Sequence, residues 1–261
     1  MKVIILCGGK GERLREETEY KPKPLVKIGA MPILWHIMKI YSYYGFKEFI
    51  LCLGYKGEMI KDYFLNFEEM TNDFTFNLRS KEKRIIHHNQ NKLEDWKITF
   101  VDTGIDTQTG GRIAKIKEFI KKEEDFFLTY GDGLSDINIA ALYKFHRSKK
   151  KIITILGVYP STTYGILKVQ DGVVQTFKEK PTLEGMVNGG FFTCNKKIYD
   201  YISNERECVF EEAPLRNLVH DKKAAVYVHK GYWQCMDNIK QAERLNHEYE
   251  SGNAPWEVWK K

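Results

Sequence analysis

The apolar positions of the chain fall into short blocks that switch between two periods. Val3–Cys7 is an unbroken apolar run too short for a helix, and it reads as a strand buried on both faces. Pro32–Tyr44 instead places Ile33, Ile37, Ile40, Tyr41 and Tyr44 on one helical face, with Pro32 at its first position and Gly45 just past its end. The alternation continues with strands at Phe49–Leu53, Ile98–Asp102, Phe126–Tyr130 and Ile152–Val158, and helices at Lys56–Phe64, Ile113–Lys121 and Asn138–Lys149. This order predicts an α/β fold: a Rossmann-like, mixed but mainly parallel sheet flanked by helices, with ligands at the carboxyl ends of its strands.

The second half changes character. Tyr164–Val169 and Val173–Phe177, joined through Asp171-Gly172, read as a β-hairpin. Gly190–Cys194 and Ala225–His229 read as strands, and Lys196–Ile202, Phe210–His220 and Ile239–Tyr249 as helices. No repeat, low-complexity segment or linker divides the 261 residues, so a single domain is expected. Asn66–Trp96 is the least regular stretch, a candidate lid or oligomer contact. Its pair His87-His88 suggests a metal, but neighbours on a strand point to opposite faces, which makes a shared ion the lesser reading.

Composition narrows the class. Apolar residues make up 43% and charged residues 29%, ordinary values for a globular protein. No run approaches the ~18 apolar residues of a membrane helix, and Met1-Lys2 leads straight into a strand, so the expectation is a cytoplasmic protein without a membrane partner. The five cysteines are widely spaced with no C-x-x-C pair, which favours buried reduced thiols over disulfides or zinc. The net charge of +6 suits anionic substrates, but the basic residues are scattered. Ser148-Lys149-Lys150-Lys151 reads as the solvated end of a helix, and no nucleic-acid partner is expected.

The candidate chemistry begins where the first strand ends, at Gly8-Gly9-Lys10-Gly11-Glu12-Arg13-Leu14, followed by Lys21-Pro22-Lys23-Pro24. Glycines let the backbone turn and approach a ligand, successive N–H groups form an anion-binding concavity, and Arg13 and Lys23 add full charges. The loop is neither a G-x-G-x-x-G fingerprint, since Leu14 stands at the third glycine, nor a Walker A loop; alone it is also compatible with a tight structural turn. Tyr130-Gly131-Asp132-Gly133 follows a second apolar strand, and a carboxylate there suits Mg²⁺ or, more blandly, an Asx-type turn. Trp233-Gln234-Cys235-Met236-Asp237-Asn238 offers a partner carboxylate, Asp237. Glu179 and Lys180, in Phe177–Pro181, and Asn188-Gly189-Gly190 offer groups for sugar hydroxyls and a phosphate, although each alone is also a surface turn.

Together and in this order, these residues closely resemble the sugar-1-phosphate nucleotidyltransferases, over nearly the whole chain. The glycine loop and Glu179-Lys180-Pro181 match the broad family; Trp35-His36-Ile37-Met38, Thr109-Gly110-Gly111-Arg112 and Ala254-Pro255-Trp256 match its cytidylyl branch. The resemblance implies the nucleotide-diphospho-sugar transferase fold, with 1–150 mainly nucleotide-binding and 151–261 mainly sugar-phosphate-binding. It implies transfer of a cytidylyl group from CTP to glucose 1-phosphate, giving CDP-glucose and pyrophosphate, with Mg²⁺ on Asp132 and Asp237 and a homo-oligomer with Asn66–Trp96, Trp256 and Trp259 as candidate contacts. Arg13, Lys23 and Asp132 would be catalytic. Leu6, Cys7, Gly8, Gly9, Lys10, Gly11, Glu12, Arg13, Lys23, Thr107, Arg112 and Gly131 would hold the nucleotide; Glu179, Lys180, Asn188 and Gly189 would hold the sugar phosphate. Lys10 and Glu12 depart from the family, which has an apolar residue and a threonine there, and Tyr159–Gly165 departs from its usual segment before the hairpin. The alternatives are the same chemistry on another sugar 1-phosphate or pyrimidine triphosphate, and a non-catalytic nucleotide sensor, which would be expected to lack one of Arg13, Lys23, Asp132 and Asp237.

Overall fold

The computed structural model describes residues 1–79, 85–88, 93–160, 164–179 and 185–260. Its central sheet contains β1 (Val3–Leu6), β2 (Glu48–Leu53), β3 (Lys97–Asp102), β4 (Asp125–Tyr130), β5 (Ile153–Val158), β6 (Val187–Asn195) and β7 (Ala224–His229). Their order across the sheet is β7-β5-β6-β4-β1-β2-β3. Every ladder is parallel except the two made by β6, which runs against β4 and β5. The mixed, mainly parallel sheet is therefore present, with β6 its reversed strand. From β1 the chain winds outward through β2 and β3, then returns to place β4 on the other side of β1. At such a reversal of winding the loops leave in opposite directions and open a crevice beyond the strand ends.

Alternate residues of β1 serve two cores. Val3 and Ile5 pack with Leu51 and Phe127 against Ile33, Ile37 and Tyr41 of helix α1 (Ile33–Tyr43). Ile4 and Leu6 pack with Ile50, Leu128 and Phe192 on the opposite face. Helix α1 starts one residue later than expected because Pro32 ends a two-residue strand and takes the N-cap with extended geometry, φ −66° and ψ 153°. Helix α2 spans Gly57–Leu65, and α3 spans Thr109–Lys115, followed by a short Lys117–Ile120 turn where one helix over 113–121 was expected. Helices α4 (Ile139–Lys149) and α6 (Ile239–Glu250) are capped by Asn138 and Asn238, whose side chains accept from Ala141 and Gln241 N–H. Helix α5 is Ala213–His220, and Lys196–Asp200 is a 3₁₀ turn instead of a helix. The hairpin pairs exposed strands Ile166–Gln170 and Val173–Lys178.

Within 66–96 a helix (Phe67–Thr71) precedes a small hairpin of Phe74–Phe76 with Ile85–His87. There His87 pairs with Glu68 at 3.2 Å while His88 bonds Thr75 at 2.7 Å, and among the described residues no cluster of His, Cys, Asp and Glu is arranged to hold a metal. All five cysteines are free, with Cys7, Cys52 and Cys194 buried as expected. No helix among the described residues is long and apolar enough to cross a membrane.

The C-terminal tail corrects one expectation. Trp256 is 0% exposed and belongs to the core, so it offers no contact surface to another subunit. Its indole N–H donates to His36 Nδ1 at 3.3 Å, which leaves the imidazole proton on Nε2 to be donated to the Ile28 carbonyl at 3.0 Å. Burial pushes His36 down to about 4 from its ordinary 6.5. Its folded-state value is depressed, so the unfolded chain takes up a proton first: stability is complete above the unfolded value and falls as pH drops from 6.5 toward about 4. The melting temperature should decline over that window, and a His36→Gln variant, though less stable, should show a flatter decline.

Candidate active site

The carboxyl ends of β1 and β4 form the floor of a cleft of about 900 Å³, lined by Leu6–Arg13, Lys23, Thr107, Arg112, Gly131, Asp132, Asn188, Gly189 and Asp237. That volume lies near the upper end of ~300–1,000 Å³ for small-molecule sites, enough for two substrates side by side. Of the described site residues singled out in the sequence, Glu179 alone lies elsewhere. Glu179 ends the exposed hairpin, its carboxylate beside Gly165, and does not line the cleft. Lys180 lies outside the described residues, as does part of the segment before the hairpin, 161–163.

Asp132 and Asp237 are distant in sequence and are joined by a short antiparallel pair. Trp233–Cys235 aligns with Gly133–Ser135, so that Cys235 faces Gly133 and the Met236 N–H donates to the Asp132 carbonyl at 2.8 Å. Asp237 follows, its N–H held by Gln241 Oε1 at 2.6 Å at the start of α6. Lys23 enters from the opposite wall on a 3₁₀ turn, Lys23–Leu25, preceded by Pro22 and containing Pro24. Its ammonium donates to Asp132 at 2.5 Å and to Asp237 at 2.9 Å, and Arg13 reaches Asp237 at 3.0 Å. Burial opposes the charge of Lys23, but the two carboxylates outweigh it and raise the ammonium above its ordinary range. Burial likewise opposes the Asp237 carboxylate, and Lys23 with Arg13 holds it below the usual range. A half-buried ammonium held between two carboxylates occupies the kind of place that suits a small divalent ion. The protein offers two hard oxygen donors, and a Mg²⁺ site completes itself with phosphate and water.

The glycine loop is held from beneath. Arg112, 4% exposed, donates from one terminal nitrogen to the Gly8 and Ile105 carbonyls at 3.0 and 3.2 Å. The other donates to Leu53 O, Thr103 Oγ1 and Gly104 O at 3.0, 2.7 and 2.8 Å. Gly8 allows this approach, since a Cβ there would lie 2.0 Å from the guanidinium. Arg112, expected to contact the nucleotide, lines the cleft, and its terminal nitrogens bond the Thr103 hydroxyl and the backbone beneath the glycine loop. Lys10 pairs with Asp106 at 3.6 Å, linking the loop to the segment before α3, and Glu12 opens the short 3₁₀ turn Glu12–Leu14 anchored by buried Leu14. Two cleft thiols are poor nucleophiles: burial pushes Cys235 up to about 12 and Cys7 well above its ordinary value.

The sequence reading missed Glu211, which lines the cleft. It had been placed in the first turn of a helix over 210–220; in fact α5 begins at Ala213, and Glu212, at its N-cap, has φ −95° and ψ −109°. That turn leaves Glu211 outside the helix and facing α3, where it accepts from Thr109 Oγ1 at 2.6 Å. Trp233 was noted only as a neighbour of Asp237, yet its indole N–H donates to the Gly189 carbonyl at 2.8 Å and closes the far wall.

A doubly wound sheet whose switch point gathers a glycine loop, two carboxylates and two cations defines a phosphate-handling α/β class. Residues 2–251 match the nucleotidyl transferase family model, and the chain belongs to that family. It is 46% identical over 259 residues to the probable glucose-1-phosphate cytidylyltransferase of Bacillus subtilis, covering 99% of this chain and 100% of that one. It is 44% identical over 260 residues to the glucose-1-phosphate cytidylyltransferase of Salmonella typhi, with the same coverage. Among solved structures it is similar in fold to HddC from Yersinia pseudotuberculosis, with TM-score 0.66 and 24% identity over 95% of this chain and 99% of that one. A putative glucose-1-phosphate thymidylyltransferase from Bacillus anthracis gives TM-score 0.69 at 15% identity, over 97% and 95%.

Proposed function

We propose that this protein transfers a cytidylyl group from CTP to glucose 1-phosphate, releasing pyrophosphate and forming CDP-glucose. The observation that carries the chemistry is the convergence of Asp132 and Asp237 on one cation, with Arg13 alongside, beside the glycine loop. The choice of CTP and glucose 1-phosphate rests on the full-length relatives of those names. The nucleophile, a sugar phosphate oxygen, is already largely ionised near neutral pH because its second pKa is about 6, so no general base is needed. The raised thiols of Cys7 and Cys235 fit a direct displacement without an enzyme-bound intermediate on sulfur.

The remaining task is to bring two polyanions together and to neutralise charge at the α-phosphate as the sugar phosphate oxygen attacks it in line with the departing pyrophosphate. Lys23 stays protonated for this, and the loop over Gly8–Gly11 presents its backbone to the phosphates. Asp132 and Asp237 would hold Mg²⁺, which would offset the negative charge of the phosphates there. Asn188 and Gly189 line the side left for the sugar. The protein acts in this reading as a soluble cytoplasmic homo-oligomer.

A panel of CTP, UTP, dTTP and GTP against glucose 1-phosphate and other hexose 1-phosphates, read by pyrophosphate release, tests this. CTP with glucose 1-phosphate should exceed every other pair in kcat/KM by at least ~10-fold, on the order of one good hydrogen bond. A different best pair would move the substrate assignment; no release with any pair would leave the nucleotide-sensor reading.

A further inference from the structure

Two buried threonines follow β3, and the hydroxyl of only one has both its roles filled. Thr103 Oγ1 accepts from Arg112 at 2.7 Å and donates to the Leu53 carbonyl at 2.6 Å. Thr107, 7% exposed and lining the cleft, accepts from the Lys115 ammonium at 3.2 Å, but among the described residues its own proton has no acceptor. Lys115, the last residue of α3, also donates to the Thr103 carbonyl at 2.8 Å, which holds its ammonium in place. Gly104 makes room for the pair, since a Cβ there would lie 3.0 Å from Thr107 Oγ1 and 3.4 Å from the Lys115 nitrogen.

The polarity of the Thr107 hydroxyl follows. An ammonium only donates, so the oxygen accepts from it and the proton turns away. Buried hydroxyl protons find acceptors, and the open side of this one is the cleft. Thr107 therefore meets a ligand as a donor; meeting it as an acceptor would leave a buried proton without a partner. Its place in the fold says which part of a ligand that is. Asn188 and Gly189 stand on β6, Asp132 follows β4, the glycine loop follows β1 and Thr107 comes after β3, in a sheet ordered β6-β4-β1-β2-β3. The sugar side and the metal pair take the β6 and β4 end of this row, which leaves the β2 and β3 end, across the glycine loop, for the ribose and base.

We propose that Lys115 is a positioning residue that holds the Thr107 hydroxyl as a donor toward N3 of the nucleotide base and so selects CTP over UTP. This rests on the function proposed above. N3 of cytosine accepts a hydrogen bond, whereas N3 of uracil carries a proton, so uracil would set two donors against each other. A site built around a fixed donor rejects such a base because buried polar groups are left unpaired; a threonine free to turn its hydroxyl would accept either.

The test measures, by titration calorimetry on the whole protein with Mg²⁺, the dissociation constants of CTP, UTP and 3-deazacytidine triphosphate, in which a C–H replaces the N3 acceptor. Wild type should bind CTP at least ~10-fold more tightly than either of the others, on the order of one hydrogen bond. In Lys115→Gln the amide nitrogen can donate to the Thr103 carbonyl while the amide oxygen accepts the Thr107 proton, which turns the threonine oxygen toward the base. The preference of that variant for CTP over UTP should fall at least ~10-fold, whereas Lys115→Arg, which still only donates, should keep it within about 3-fold. Thr107→Val, with neither role, should bind CTP and UTP within about 3-fold of each other. If Lys115→Gln weakens both nucleotides alike, if Lys115→Arg loses the preference as well, or if wild type binds all three nucleotides alike, the proposal is overturned and the transferase reading is untouched. If the affinities follow the expected pattern but wild type releases no pyrophosphate with any sugar 1-phosphate, the transferase reading falls and base selection through Lys115 stands.

Discussion

Asp132→Asn is expected to abolish pyrophosphate release from CTP and glucose 1-phosphate, with kcat down at least ~1,000-fold, which corresponds to about 4 kcal/mol of transition-state stabilisation. The change keeps the size of the side chain and leaves an oxygen for the Lys23 ammonium, which now lies 2.5 Å from the carboxylate. It removes one of the two negative charges that face each other across Lys23. A divalent ion held by two carboxylates and substrate phosphates tolerates this poorly, because an amide oxygen repays far less of its dehydration. The fold should survive: Asp132 follows β4 and is held by backbone pairing to Met236, which the substitution does not touch. Circular dichroism and melting temperature should stay near wild type while Mn²⁺ affinity with CTP bound, followed by electron paramagnetic resonance, falls with the activity. Near-wild-type turnover in this variant would remove Asp132 from the metal site.

The order β-α-β-α was legible because buried parallel strands such as Val3–Leu6 are short unbroken apolar runs and their helices carry one apolar face. The start of α3 was not. Thr109-Gly110-Gly111 has the composition of a loop yet opens the helix, and glycines stand there because helix and loop pack too closely for side chains. A Cβ on Gly110 would meet Cys208 Sγ at 2.5 Å, and one on Gly111 would meet the Glu205 carbonyl at 2.8 Å. Nothing local announces a contact with residues a hundred positions away. The same limit hid Glu211, whose acidic neighbour and following Pro214 resemble an ordinary helix start. By contrast, Asp132 was legible because it stands between two glycines just after an apolar strand, and Asp237 because it offered a second carboxylate just before the last helix. The His36 and Trp256 segments, both matched to one branch of the family, bond to each other.

Arg112→Met is expected to cost both stability and activity, and it separates the positioning of the loop from the charge beneath it. Methionine fills the volume but donates nothing. The Leu53 and Gly8 carbonyls keep other donors, Thr103 and Tyr55 N–H at 2.9 and 3.1 Å, whereas those of Gly104 and Ile105 lose the Arg112 bonds at 2.8 and 3.2 Å. Gly104 is half-buried and Ile105 exposed, so water replaces the lost donor and each bond costs about 0.5–1.5 kcal/mol net, about 1–3 kcal/mol for the two. For a chain of this size that lowers the melting temperature by roughly 2–12 °C. With Gly8 released from below, the loop backbone loses the surface against which phosphates would be aligned, and kcat/KM should fall about 100-fold even at a temperature where the variant is fully folded. Arg112→Lys decides between fork and charge. A lysine restores the positive charge but cannot reach Gly8 on one side and Thr103 and Gly104 on the other at once. If geometry governs, Arg112→Lys should resemble Arg112→Met in both melting temperature and kcat/KM; recovery of kcat/KM to within a few-fold of wild type would instead assign Arg112 an electrostatic role toward the triphosphate.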